Sequence, residues 1–556
     1  MKFPISRPLA ALISAITIGA LVLGTGLGYF LFARNSAPEK FSALITHADI
    51  PYRAMETYQQ SLLTTLPIDS GPVVNSTCPA LSPTWVQDEN QKAGLPNMQI
   101  ADWKKLDLSA ATGSALWLNQ SSVSCGDTVD IHAALYQSYP DQQTSGPRTF
   151  AAWRIGYYGG AGAREIWRSN PIDLQSRKAI TSSQATRFTE ALWPVSTKFT
   201  IGNDWTPGFY LIVSLSPFGK IENAAPLVVR SPVGTSKLVM MHSFLTWNAY
   251  NSFGGRSTYN GPGENATADL AQRSRIGSFD RPIVGSGAFS IQRDAIPFVQ
   301  FSEEHGLNID QISDLDLDQN PSLALHYNGF ILGGHAEYFT HRMFQTMIAL
   351  RNSGTNLAFL GANTANWQIR MEPSKVGPNR HMVIYRLATQ DPDTNIDQVT
   401  IEFADNRINT PPNLFTGEST VGVHVFGTLK SVTIPQWLTL PSNSSISEIS
   451  SDTEGEAVQN NVASPPNIHI LFSGTLNLRR PLSRGARALN PVVETSWYTT
   501  PSGSAIFDAG MTTWSCNLME SCIDSEYSPS SQAIVQSTTL QILTLWQQSH
   551  IGATLK

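Results

Sequence analysis

Charge is what this chain has least of. Asp, Glu, Lys and Arg make up 14% of its 556 residues, against ~25% in typical soluble domains. With 37 basic and 43 acidic residues the net charge is -6. No Lys/Arg run is present, and this excludes nucleic acid as an expected partner. Ser, Thr, Asn and Gln fill the polar positions instead, a bias common in proteins that work outside the cytoplasm. Cysteine is also scarce. The four residues Cys78, Cys125, Cys516 and Cys522 include no C-x-x-C pair and have no histidine at ligand spacing, so a structural zinc site is disfavoured. They fall as one pair near each end of the soluble part, and disulfides are the better reading. Four cysteines allow three connectivities, among which sequence does not choose. No G-x-S-x-G elbow is found at the turns that end the apolar runs, so serine hydrolysis is disfavoured.

One long apolar run is present. Residues 8–33 carry no charge and follow Lys2 and Arg7. A helix of that length spans the ~30 Å core of a bilayer. A cleaved signal peptide has a shorter apolar region and a small-x-small cleavage site, which is missing here. Residues 1–34 therefore read as an uncleaved signal anchor, with the remainder membrane-anchored and extracytoplasmic (periplasmic or extracellular).

After the anchor, residues 35–99 read as stalk and lead-in. Residues 100–234 show short strand patterns separated by turns, as in an immunoglobulin-like β-sandwich. From 235 to 556 the pattern turns to strands alternating with helices, which implies a largely parallel sheet. Strands are expected at 237–241, 308–312, 327–332 and 356–360. Helices are expected at 295–305, 341–353 (with Gly354 as C-cap) and 532–548. Residues 440–466 are rich in Ser, Asn and Glu and read as a mobile insertion. The fold class expected is thus α/β plus all-β: a transmembrane helix, a sandwich, then a glutamine-amidotransferase-like α/β domain.

The chemistry-bearing residues cluster after two of these strands. The run from Thr246 to Tyr259 packs Trp247, Tyr250, Gly254, Gly255 and Tyr259 together. The second stretch is Gly333-Gly-His335-Ala-Glu337-Tyr338. In an α/β sheet the carboxyl ends of strands carry the site. The series Asp314, Asp316, Asp318 resembles the start of a calcium loop, but Gln319 stands where glycine is needed and Leu325 where glutamate is needed, so that reading fails. The turn Gly361-Ala362-Asn363 has alanine where amidotransferase-like folds carry a cysteine nucleophile. Tyrosines Tyr250, Tyr259, Tyr327 and Tyr338 remain, with His335, Glu337 and Glu418. Phenolate and carboxylate are hard donors suited to an oxygen-loving ion such as Fe(III). An ion of that kind polarises a carbonyl and acidifies water.

The motifs Thr246-Trp-Asn-Ala-Tyr-Asn-x-x-Gly-Gly-Arg-Ser-x-Tyr259, Ser278-Phe-Asp-Arg-Pro282, Gly334-His-Ala-Glu-Tyr-Phe-Thr340, Phe359-Leu-Gly-Ala-Asn363 and Trp367-x-x-Arg370 resemble the large (β) subunit of N,N-dimethylformamidase in its C-terminal domain. Trp153 to Arg164 and Phe507 to Ser515 are similar to further stretches of that family. The resemblance implies hydrolysis of a small amide to formate and an amine, at a mononuclear ferric iron held by two tyrosines and one glutamate. On this reading Tyr338 is a metal ligand from the His-x-Glu-Tyr motif, Tyr250 is the second tyrosine by proximity, and Glu418 is the carboxylate. His335 and Glu337 are then the catalytic proton carriers. The rival expectation is a non-catalytic cell-envelope binding or scaffold protein that uses the same pocket for a glycan or peptide.

Overall fold

The structure is a computed structural model that describes residues 81–136, 145–181, 186–232, 234–261, 272–441, 445–458, 463–478, 491–523 and 528–555. Two β-sheets come first. A three-stranded sheet comprises Ser114–Leu118, Thr128–Leu135 and Val195–Thr200. A six-stranded sheet is built on Ser145–Ile155, Gly208–Leu215 and Ile221–Val229.

The Gly208–Leu215 strand is buried at all eight positions. The two-residue period of a strand explains why. Tyr210 and Ile212 face the core between the two sheets. Phe209, Leu211 and Val213 point the other way, into a core shared with the second half of the chain. Phe150 and Ala152 alternate with Ala151 and Trp153 in the same manner. The six-stranded sheet is thus a middle layer, apolar on both faces, which is why its strands read as continuous hydrophobic runs.

The second half is built on one large mixed sheet. Five strands, Ile309–Ser313, Leu238–His242, Gly329–Gly333, Asn356–Leu360 and Ala505–Asp508, lie side by side and parallel. Numbered along the chain they run 2-1-3-4-5, so strand order reverses between Leu238–His242 and Gly329–Gly333. That reversal leaves a crevice at the carboxyl ends of these two strands. Antiparallel strands Val492–Thr499, His469–Thr475, Glu418–Ser431 and Ser445–Val458 extend the sheet beyond Ala505–Asp508. A separate four-stranded sheet of Ile276–Ser278, His381–Val383, Trp367–Glu372 and Tyr338–Thr340 pairs Tyr338 with Trp367 in register.

The expected fold class needs correction. The chain is mostly β-sheet with few helices, because the α/β sheet is continued by antiparallel strands rather than by further helix-linked units. Beyond Arg370 the strand Ser445–Val458 is rich in Ser and Glu, which leaves little alternating apolar signal in the sequence. Residues 440–466, read as a mobile insertion, contain the Ser445–Val458 strand, which pairs with Glu418–Ser431 and buries Ile446 and Ala457. The transmembrane helix, and with it the membrane-anchored extracytoplasmic placement, is also corrected. No helix among the described residues is long and apolar enough to cross a membrane. The longest, Pro529–Leu545, has 17 residues, about 25 Å at the α-helical rise, and carries Ser, Thr and Gln along its length. Residues 8–33 lie outside the described residues.

Residues 81–99, part of the stretch read as stalk and lead-in, pack onto the junction of the two halves. Glu89, on the short helix Trp85–Asn90, is 2% exposed. Its carboxylate takes bonds from Arg164 Nε at 2.7 Å, Lys92 Nζ at 2.6 Å, Thr206 Oγ1 at 2.6 Å and Tyr158 Oη at 2.9 Å. Burial works against its ionisation, but Arg154 and the donors from Lys92, Thr206 and Arg164 outweigh it and hold the acid down to about 2. The folded-state pKa lies below the unfolded one. The stability it contributes is therefore complete above about 4.5 and lost as pH falls toward 2. That contribution is about 3 kcal/mol. Urea unfolding of Glu89→Gln should show a shallower loss of stability across this window than the parent; parallel acid limbs would count against it.

Cys516 and Cys522 are bridged, six residues apart. Cys125 is also disulfide-bonded, and Cys78 lies outside the described residues.

Candidate active site

The site forms where the strand order reverses. After Leu238–His242 the helix Phe244–Tyr250 starts at once, and its last residue brings Tyr250 over the crevice. The chain then turns through Gly254 and Gly255, both at positive φ, and returns Tyr259 beside Tyr250. The two rings stack with centroids 4.6 Å apart. After Gly329–Gly333, a left-handed turn at Gly334 (φ 68) leads to His335, Glu337 and Tyr338. A side chain at 334 would collide with Asp294, 2.3 Å from an ideal Cβ, so the turn requires glycine. The Glu337 amide is fixed by Thr246 Oγ1 at 3.0 Å, which ties the two strand ends together.

The oxygens then converge. Tyr259 Oη donates to Glu337 Oε1 at 2.6 Å and lies 2.8 Å from Oε2. Tyr250 Oη lies 2.9 Å from Glu337 Oε2 and 3.1 Å from Tyr259 Oη. Tyr338 Oη is 2.6 Å from Tyr259 Oη. Trp367 Nε1 donates to Glu337 Oε1 at 3.0 Å. Arg386 closes one side. Its Nη2 donates to Tyr338 Oη at 2.5 Å, and its guanidinium lies between the rings of Tyr259 (4.1 Å) and Trp367 (4.6 Å). Arg386 adopts φ 66, a left-handed conformation costing about 1–2 kcal/mol for a residue with Cβ. Strain of this kind gathers at functional sites. Burial pushes the three phenols well above their usual range, and the Glu337 charge adds to this. Arg386 works the other way on Tyr259 and Tyr338.

His335 faces the same carboxylate oxygen of Glu337 as Tyr250 does, with its ring 5.7 Å from the Tyr250 ring. Its Nε2 lies 3.2 Å from Glu454 Oε2, 3.6 Å from Glu337 Oε2 and 3.4 Å from Asn363 Nδ2. Burial disfavours its charge, yet Glu454 and Glu337 overcome that and raise its pKa. Glu454 is shifted the opposite way: burial resists, and His335 holds it below the carboxylate range. Asn363 sits at φ 57 in the turn after Asn356–Leu360, where asparagine tolerates the left-handed conformation.

A family model described as N,N-dimethylformamidase beta subunit-like, C-terminal, matches residues 149–526. The chain belongs to this family. The matched stretch includes every residue of the cluster just described. No curated protein matches the chain significantly. Among solved structures, the alkylpurine DNA glycosylase AlkC of Pseudomonas fluorescens, bound to DNA containing an abasic site analogue, is 13% identical over 22% of this chain and 31% of that one, with a TM-score of 0.16. The chain thus spans less than a third of that protein. A cycloisomaltooligosaccharide glucanotransferase of Paenibacillus sp., complexed with cycloisomaltoheptaose, is 7% identical over 72% of this chain and 69% of that one, with a TM-score of 0.17. Similarity at that level carries no argument about fold or function.

Of the residues expected from sequence, the structure brings Tyr250, His335, Glu337 and Tyr338 together. Glu418 is not among them; it packs with Glu456 and Asp508. Tyr327, a further tyrosine near a strand end, donates to Asp310 at 2.9 Å ahead of the Gly329–Gly333 strand. The three aspartates of the 314–318 series are each engaged in the fold. Asp314 accepts from the Leu245 amide, Asp316 caps its own helix at Ser313 and pairs with Arg230, and Asp318 accepts from Thr340. Tyr259 closes the Thr246–Tyr259 motif and lies outside the ligand set that the resemblance implies. Asn363 reaches the cluster from the Gly361-Ala362-Asn363 turn, whereas Arg386, in a loop, and Glu454, on the Ser445–Val458 strand, come from sequence stretches with no pattern that points to a site.

Proposed function

We propose that this protein is a metal-dependent hydrolase of a non-peptide C–N (amide) bond, with Tyr250, Tyr259 and Glu337 as the ligands of one ferric ion. The carrying observation is the convergence of two phenol oxygens and a carboxylate, with mutual separations of 2.6–3.1 Å. The donor set is entirely oxygen and fits a hard, highly charged ion. It also meets the two-tyrosine, one-glutamate composition that the family resemblance implied, with Tyr259 and Glu337 in the places first given to Tyr338 and Glu418. Bound there, ferric iron would supply Lewis-acid polarisation of an amide carbonyl.

The remaining roles follow from what the side chains touch. Tyr338 and Arg386 position Tyr259, the first through its hydroxyl and the second through ring stacking and charge. Trp367 fixes one oxygen of Glu337. Hydrolysis adds one water across the C–N bond, and the departing nitrogen must gain a proton. His335 Nε2 carries that proton, and Glu454 stabilises the charged ring. Asn363 donates a side-chain hydrogen bond to Glu454 and so holds that carboxylate beside the ring. Glu337 and Tyr338 are 3% and 1% exposed, so the cluster keeps bulk solvent out and strengthens its own electrostatics.

The test is release of amine from a panel of small N-alkyl amides by the full chain supplied with ferric iron. Turnover is expected, with a loss of about 100-fold or more in His335→Asn while iron content is retained. An iron-loaded chain that releases no amine from any member of the panel would overturn the hydrolase reading.

A further inference from the structure

The helical stretch beside the His335 turn is interrupted. Ser286–Ser290 and Ile296–Glu304 are α-helical, and Ile291–Ala295 between them is a π-helical turn. The Ile296 amide bonds back five residues, to Ile291 O, instead of four. Turns of this kind occur singly inside α-helices and gather at functional sites. They also change direction. Each residue of an α-helix advances by about 100° around the axis, so one extra residue resets which side chains point at the sheet. Ile291 and Ala295 join the apolar core, and Gln292 Nε2 donates to Leu106 O at 2.7 Å. The remaining two residues, Arg293 and Asp294, are charged, yet both are buried.

The Asp294 carboxylate joins this helix to the site. Arg293 binds it through two nitrogens, Nε to Oδ1 at 2.8 Å and Nη2 to Oδ2 at 3.2 Å. The His335 amide donates to Oδ2 at 3.3 Å. The turn is seated directly on this side chain, because a Cβ at position 334 would lie 2.3 Å from Asp294 Cβ and Cγ. The preceding amide is held from another direction: Gly334 N donates to Leu360 O and to Ser515 Oγ, each at 3.1 Å. Two successive amides of a left-handed turn are buried here, and each needs an acceptor. Arg293 reaches further, since its charge acts on both His335 and Glu454.

We propose that Asp294 is a positioning residue for His335, set on the Gly334–His335 turn by the π-helical turn and fixed there by Arg293. The inference rests on the hydrolase reading for the role of His335, though not for the contact itself. Arg293 holds the carboxylate, the carboxylate holds the His335 main chain, and the imidazole is thereby kept 3.2 Å from Glu454 and 3.6 Å from Glu337. A regular α-helix over the same stretch would carry Asp294 away from the turn and leave the His335 amide without this acceptor. Loss of the grip lets the turn relax, and a displacement of about 1 Å at a reacting group costs on the order of 100-fold in rate.

The experiment uses the full chain supplied with ferric iron, and the member of the N-alkyl amide panel that the parent turns over fastest. In Asp294→Ala, kcat should fall by about 10-fold or more, while KM and iron content stay at the parent's values. Asp294→Asn keeps a carbonyl oxygen for the His335 amide and should recover most of that loss. Support of the fold alone would not separate kcat from KM in this way. Exchange of the His335 amide hydrogen needs no turnover, and it should quicken by about 10-fold or more in Asp294→Ala. Should Asp294→Ala fail to fold once the Arg293 charge loses this carboxylate, Arg293→Met combined with Asp294→Ala removes both charges and takes its place. A parental kcat or a parental exchange rate in Asp294→Ala would overturn the proposal, as would equal losses in the Ala and Asn variants that track Tm. A parent that releases no amine from any member of the panel overturns the hydrolase reading instead, and the exchange rate then decides the grip on His335 by itself.

Discussion

Glu337→Gln should abolish iron retention. The amide keeps the shape of the side chain and its bond from Trp367 Nε1, 3.0 Å away, but removes the carboxylate that both Tyr250 and Tyr259 contact. Replacing residues that merely support a ligand costs 10–100-fold in metal affinity, so the loss of a ligand should exceed about 100-fold. Glu337 is buried among phenols that are satisfied by donating to it. Part of that bonding survives in the amide, so the thermal midpoint should move little. Iron content measured after exhaustive dialysis gives the readout. Parent-like iron in Glu337→Gln would remove Glu337 from the ligand set and return it to the proton-carrying role first expected of it.

Glu303→Ala should cost about 4 kcal/mol of stability, the largest effect expected away from the site. Arg154 is 0% exposed and lies in the middle sheet, with Nη2 2.6 Å from Glu303 Oε1 and Nη1 3.0 Å from Oε2. Glu303 belongs to the helix Ile296–Glu304 of the second half. The pair therefore joins the sandwich to the α/β sheet across their shared core. Breaking a buried pair from one side leaves an uncompensated charge, which costs about 3–5 kcal/mol. Removing both partners is far cheaper, so Arg154→Met combined with Glu303→Leu should recover much of the loss. The urea midpoint measures both variants. An unchanged midpoint in Glu303→Ala would show that Arg154 finds solvent or another acceptor.

Those elements were legible whose signal is local. The helix His341–Ser353 was readable because Thr340 caps it by accepting from Met343 N and Gly354 ends it at φ 97. The strand Asn356–Leu360 is buried throughout, and its apolar run stands out between polar turns. The Gly-Gly-His and Gly-Ala-Asn turns marked the carboxyl edge of the sheet. Ser445–Val458 was not readable. It is a polar strand whose order comes from ladder bonds to Glu418–Ser431, and those bonds leave no trace in composition. The placement of Glu418 failed for a related reason. Glu418 and Glu337 both follow glycine-containing turns, but only the sheet order shows that they stand over different strands. Tyr259 needed the return of the chain through Gly254 and Gly255, and Arg386 needed the small four-stranded sheet, before either could be set against Tyr338.

The central claim is that Tyr250, Tyr259 and Glu337 share one ferric ion, and elemental analysis with an absorption spectrum of the full chain tests it most directly. One iron per chain is expected, together with a visible band from phenolate-to-iron charge transfer that disappears in Tyr259→Phe. A folded chain that neither retains nor takes up iron, or one whose visible band is unaltered in Tyr259→Phe, would contradict it.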